Sequence, residues 1–229
     1  MKPSLLPILA AIALSGCDRT AKVSKAPPPV PAPLPAAAEA EIPGPASPTV
    51  TVKAGANLGR IAADAYGHEE FSGFIARLNG IANPEQLKAD SVLKTPPLPQ
   101  AFREAGLDPR YQPAINALAK ASTDYHDALP GYVEARLASA EKGSPVPIPE
   151  KTRDSFLKCA DAIDAAKREL EGAKEPHQVP SMTLDQFAQA ASLLRELATG
   201  GYGYDADLIG QRLGLGFTNA LIWTQEQHR

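Results

Sequence analysis

The residues of this chain best suited to chemistry are four histidines and two cysteines, and their spacing rules most of that chemistry out. His68, His126, His177 and His228 are scattered, with no His-x-x-x-His or His-x-His pair that would set two imidazoles side by side on a metal ion. No metal site and no cofactor are expected. Cys159 lies inside an apolar stripe, where a thiolate is disfavoured, so it reads as a small core residue and not as a nucleophile. Glu134 and Glu196 have apolar neighbours, as a catalytic acid in an apolar pocket would, but neither stands in a Glu-Ser pair. The chain is therefore expected not to be an enzyme. Cys17 stands apart. It follows Lys2, the apolar run "LLPILAAIAL" and the small pair Ser15-Gly16, the layout of a secretory signal at its cleavage point. That run falls short of the ~20 apolar residues that cross a bilayer.

Leu14-Ser15-Gly16-Cys17 resembles the lipobox of bacterial lipoproteins. The resemblance implies that residues 1–16 are a signal peptide and that Cys17 becomes the first residue of the mature chain, with its thiol and freed amine acylated. Acyl chains contribute ~0.8 kcal/mol per buried methylene, so two or three of them hold a protein durably at a membrane. Asp18 resembles the residue that retains enteric lipoproteins at the inner membrane, although the rule varies between bacterial groups, so inner and outer membrane both remain open.

The chain has 23 basic and 26 acidic residues, and residues 1–16 hold only Lys2 of the former. No basic surplus marks a nucleic-acid partner. With Cys17 acylated, Cys159 has no cysteine to pair with, so the folded part must be held by its core. Residues 17–48 carry the lipid-attachment cysteine and a Pro/Ala-rich linker, "KAPPPVPAPLPAAAEAEIPGPASP", whose proline density no helix or central strand tolerates. An extended, disordered spacer gaining ~3 Å per residue is expected there.

After Pro48 the pattern changes. Val50 and Val52 alternate with polar residues as a short strand does. Leu58, Ile61 and Ala62 follow at helical spacing up to Tyr66-Gly67, and Phe71, Phe74, Ile75 and Leu78 mark a second helix ending at Asn79-Gly80. Asn83-Pro84-Glu85-Gln86 has the N-cap and first-turn proline of one more helical turn, and Val92-Leu93 makes a closing strand. Over residues 49–97 this order, with Val52-Lys53-Ala54-Gly55, Tyr66-Gly67, Leu78-Asn79-Gly80-Ile81, Asn83-Pro84, Leu87 and Leu93, resembles the LysM domain. The resemblance implies an α+β, strand–helix–helix–strand (βααβ) module that binds N-acetylglucosamine-containing glycan of peptidoglycan. It implies contacts from Gly55, Ala56, Asn57 and Leu58 on one side and Ile81, Ala82, Asn83 and Pro84 on the other, with Leu58 and Ile81 against the apolar face of the sugar. Two positions depart from the family: Ala56 replaces its usual aspartate and Asp90 a last-turn glycine. Ala56 removes a helix-capping oxygen at a cost near 1 kcal/mol, a role Asn57 beside it can take over.

Residues 100–229 resemble no family and show four apolar stripes at three-and-four spacing. The first runs Ile115, Leu118, Ser122, Tyr125 and Leu129, and after an expected kink at Pro130-Gly131 resumes with Val133 and Leu137. Phe156, Cys159, Ile163, Ala166 and Leu170 form the second, and the third, opened by a capping box over Thr183–Gln186, holds Phe187, Ala191, Leu194 and Leu197. Leu208, Ile209, Leu213, Phe217, Ala220 and Leu221 form the fourth. An all-α, antiparallel helical bundle is expected, with Tyr202 and Tyr204 in a turn that offers a contact surface. His68-Glu69-Glu70 reads as a solvated helix start. The sequence thus points to a lipid-anchored cell-envelope protein facing the periplasm. Its partners would be peptidoglycan glycan strands, the membrane and an envelope protein, with no nucleic acid. The alternative is an assembly or adaptor lipoprotein whose LysM-like module docks protein and not glycan.

Overall fold

The computed structural model describes residues 48–173, 178–200 and 206–227, so Cys17, the proline-rich spacer, His177, Tyr202, Tyr204 and His228 lie outside the described residues. Two three-residue strands, β1 (Thr49–Thr51) and β2 (Val92–Lys94), pair antiparallel with Val50 opposite Leu93. Between them lie α1 (Leu58–Tyr66), a 3₁₀ turn over Glu69–Phe71, α2 (Ser72–Leu78) and a second 3₁₀ turn over Pro84–Gln86. The expected order of strand, helix, helix and strand is present, and its local devices are the ones the sequence carries. Gly67 ends α1 at φ 82°, its N–H donating to the Ala63 carbonyl. Asn83 Oδ1 accepts from the Glu85 N–H at 3.0 Å and so caps the second turn. Asn79 does more than end α2. Its amide donates to the carbonyls of Ile75 (2.9 Å) and Lys94 (3.0 Å), and its Oδ1 accepts from the Lys94 N–H (2.7 Å), which ties the helix end to β2.

Asp90 is the one non-glycine residue with positive φ (64°) among those described, at the turn where its N–H donates to the Val52 carbonyl. A side chain there costs energy that glycine avoids. Asp90→Gly is expected to stabilise the chain by about 0.5–1 kcal/mol and Asp90→Val to destabilise it by at least about 1 kcal/mol, read from urea unfolding midpoints. Equal midpoints for all three chains would show that the turn is not strained.

The rest is helical: α3 (Leu98–Glu104), α4 (Gln112–Lys142), α5 (Glu150–Glu171), α6 (Ser181–Ala198) and α7 (Asp207–Glu226). The pairs α4–α5, α5–α6 and α6–α7 pack in chain order, as a bundle with short connections does. Arg195 on α6 reaches Asp161 (2.9 Å) and Asp164 (2.8 Å) on α5 across the exposed edge of one such pair. The stripes of α5, α6 and α7 are buried as their spacing implies, Leu208 being half-buried.

Three expectations are corrected. Pro130 does not break α4, which runs unbroken for 31 residues. The helical phase is therefore kept, so Tyr132 and Ala135 continue the buried face while Val133 and Leu137 turn outward, 44% and 62% exposed. Gly131, half-buried in that run, lies against Thr152 of α5 where a Cβ would clash. No capping box opens α6. The helix begins at Ser181, two residues before Thr183, which is then inside the first turn, buried, with no hydrogen-bond partner for its Oγ1 among the described residues. Lastly, α3 was not expected at all, although Leu98, Ala101 and Phe102 have helical spacing and are buried.

The described residues belong to a single contact unit, and one apolar cluster runs from Val52 to Trp223. Phe71 and Phe74 of the βααβ unit, Phe102 of α3, Phe187 of α6 and Phe217 of α7 form its centre, with ring centroids 5.7–6.0 Å apart. Rings of this size at these separations contribute packing beyond their area alone. The sheet unit and the bundle share a core.

Candidate functional site

The β1–α1 loop leaves β1 at Val52, turns at Gly55 (φ 76°), and enters α1 through Asn57. Asn57 Oδ1 accepts from the Arg60 N–H at 2.8 Å, so it does the capping that Ala56 cannot. A concavity of about 370 Å³ lies beside this loop, lined by Thr51, Lys53, Gly55, Ala56, Arg60 and Asp64 among others. Backbone, two cations and a carboxylate face one small space. That mixture suits a neutral, hydroxyl-rich ligand held by several hydrogen bonds better than a bare ion.

The eight expected contact residues are distributed unevenly. Gly55 and Ala56 line the concavity and Asn57 is exposed next to it. Leu58 is 3% exposed and packs into the core, so it is not available to the face of a sugar. Its position as the first residue of α1, on the same face as the buried Ile61 and Ala62, turns it inward. Ala82, Asn83 and Pro84 are exposed and Ile81 is half-buried against the core, but none of these four lines the concavity. Lys53, Arg60 and Asp64 were missed by sequence reasoning. Their signal was present, since Arg60 and Asp64 are one helical turn apart on α1.

Other sequence candidates fall elsewhere. Cys159 is buried and its thiol is pushed up to about 12, chiefly by burial and then by Asp124, which agrees with a core residue. Among the described residues no group of three or more His, Cys, Asp or Glu side chains is placed to hold a metal ion, and no helix is long and apolar enough to cross a membrane.

His68 is corrected most sharply. It is not a solvated helix start but 8% exposed, its ring stacked on Tyr125 (centroids 5.5 Å apart) and edge-on to His126 (5.6 Å). The space for it comes from Gly210 of α7, where a Cβ would lie 2.5 Å from His68 Nδ1. Glu70 follows the same logic, its carbonyl oxygen 2.7 Å from where a Cβ of Gly214 would sit. Two glycines one turn apart on α7 thus admit the His68–Phe71 segment at close range, and Arg77 Nε closes the contact by donating to Gln225 Oε1 at 2.9 Å. Compared with protein-family models, with curated proteins and with solved structures, the chain gives no match.

Proposed function

We propose that this is a lipid-anchored cell-envelope protein, attached through Cys17, whose LysM-like βααβ unit binds N-acetylglucosamine-containing glycan and whose helices are presented to a protein partner. The observation that carries the reading is the closed strand–helix–helix–strand unit with its β1–α1 loop beside a largely apolar concavity edged by Lys53, Arg60 and Asp64, and with Ala82, Asn83 and Pro84 exposed. A single small sugar site binds weakly, and tethering the chain near the wall raises its effective concentration there.

A second reading is favoured by one observation. Leu58 is spent on the core, and the 81–84 loop does not line the concavity, which fits an assembly or adaptor lipoprotein whose βααβ unit contacts protein instead of glycan. Because the unit shares a core with the bundle, the test uses the whole chain. Chitooligosaccharide is titrated into it while the amide resonances of Gly55, Asn57 and Asn83 are followed, and its cosedimentation with purified peptidoglycan is measured. Glycan binding predicts saturable shifts at these amides and retention that Lys53→Glu or Arg60→Glu reduces. Unmoved resonances together with no retention would leave only the second reading standing.

A further inference from the structure

Helix α4 carries apolar side chains on two faces, and among the described residues only one is covered. Tyr125, Tyr132 and Ala135 are buried. Val133 and Leu137, a turn apart, point away from them and are the large apolar residues of α4 left exposed. Leu129 and Pro130 extend the same stripe by one more turn. Alongside it, Asp127, Glu134 and Glu141 recur every seventh residue, which places all three on one edge of the stripe. All are exposed, and none forms an ion pair among the described residues. An apolar stripe of about two and a half turns, with a straight acidic border about four turns long, has the form of one half of a helix–helix contact.

We propose that the 126–141 face of α4 is the docking surface for a cationic amphipathic helix of a partner protein, whose apolar side covers Val133 and Leu137 and whose Lys or Arg side chains pair with Asp127, Glu134 and Glu141. The charge pattern selects this occupant. A second copy laid antiparallel on the stripe sets one acidic row against another, in a chain that already carries net charge −3. An anionic lipid surface meets the same repulsion. A helix with a basic flank meets none of it, and its association is steered and register-fixed by the row.

The test uses the purified full chain and a fluorescently labelled synthetic amphipathic helix of leucine and lysine, with a leucine and glutamate helix of the same pattern as control. Fluorescence anisotropy is expected to show saturable binding of the lysine helix alone, weakening as ionic strength rises. Leu137→Asp, and separately Glu134→Lys with Glu141→Lys, are each expected to weaken it about tenfold or more. Asp185→Lys, an exposed acidic position on α6, is expected to leave it unchanged. Circular dichroism keeps folding in view, since all substituted positions are exposed. Binding that ignores the α4 substitutions, or that responds equally to Asp185→Lys, overturns the proposal. So does self-association of the chain in sedimentation equilibrium that Leu137→Asp abolishes, which assigns the face to a second copy. Binding to phosphatidylglycerol vesicles that Leu137→Asp abolishes overturns it in favour of a membrane.

Discussion

Gly214→Ala is expected to destabilise the chain by about 2 kcal/mol, a fall in Tm of roughly 4–8 °C for a chain of this size. The direction is opposite to that of helix propensity, by which alanine in place of a helical glycine gains about 1 kcal/mol. Gly214 is in the middle of α7, and an added methyl would meet the Glu70 carbonyl oxygen at 2.7 Å and its carbon at 2.8 Å. These are backbone atoms held by the 3₁₀ turn over Glu69–Phe71, and Phe71 is fully buried behind them, so neither side gives way cheaply. Gly73→Ala supplies the contrast. It is also helical and faces α7, but its added methyl meets Thr218 at 3.5 Å or more, an ordinary contact, so the propensity gain should appear and the Tm stay level or rise. Thermal and urea unfolding of both variants decide the point. If Gly214→Ala is as benign as Gly73→Ala, the βααβ unit does not sit on α7 at this range.

The same contact marks where the sequence stops being readable. Ile163, Leu194 and Leu213 announce their burial because three-and-four spacing is a local property, repeated within one helix and independent of what lies across from it. Gly67 and Asn83 are equally local, each acting on backbone within four residues. Gly210 and Gly214 are not. In the sequence they look like weak points of a helix. Their purpose appears only when residues 68–71, some 140 positions earlier, are laid against them. His68 is misread for the complementary reason, since "GHEEF" has the look of a solvated turn until a helix without side chains at two positions is packed over it. The candidate site divides in the same way. The Asn57 cap is legible from its neighbours, whereas the inward turn of Leu58 depends on the core formed with Ile61 and Ala62. At Pro130 a local rule misleads, because a proline inside a helix costs a hydrogen bond but does not have to end a helix that is packed against α5.

A consequence for function follows from the shared core. In a tethered two-module protein, binding at one module leaves the other free to reorient, but here the Phe71–Phe217–Phe187 ring cluster fixes the β1–α1 loop relative to the bundle. Any ligand held at the loop and any helix docked on α4 would then be held by one body, with geometry set by packing and not by a linker. Agents that loosen the shared core would loosen that geometry first.

Acid is such an agent, through His68. Burial, reinforced by His126 on α4 and opposed by Asp207 on α7, lowers its pKa from 6.5 to about 4. In the folded chain the ring is neutral, and its Nε2 is buried with no hydrogen-bond partner among the described residues, so a proton placed there gains only the attraction of Asp207, which does not offset desolvation. The unfolded chain binds that proton below about pH 6.5 and the folded chain does not until about pH 4, so between these values the unfolded state holds more protons and stability rises with pH. The contribution is complete above pH 6.5, is lost progressively as pH falls toward 4, and amounts to up to about 3 kcal/mol. Carboxylates titrate at the lower end of the same range, so the isolating measurement is a difference. Urea midpoints for the native chain and for His68→Asn are compared at about pH 7 and about pH 4.5. The variant gives up ring packing on Tyr125 at both pH values, but the native chain alone should lose the additional pH-dependent part, so the two stability curves converge as pH falls. Curves that remain parallel would mean that His68 is as free to take a proton in the folded chain as in the unfolded one, and the contact between the βααβ unit and α4 and α7 would have to be looser than its geometry implies.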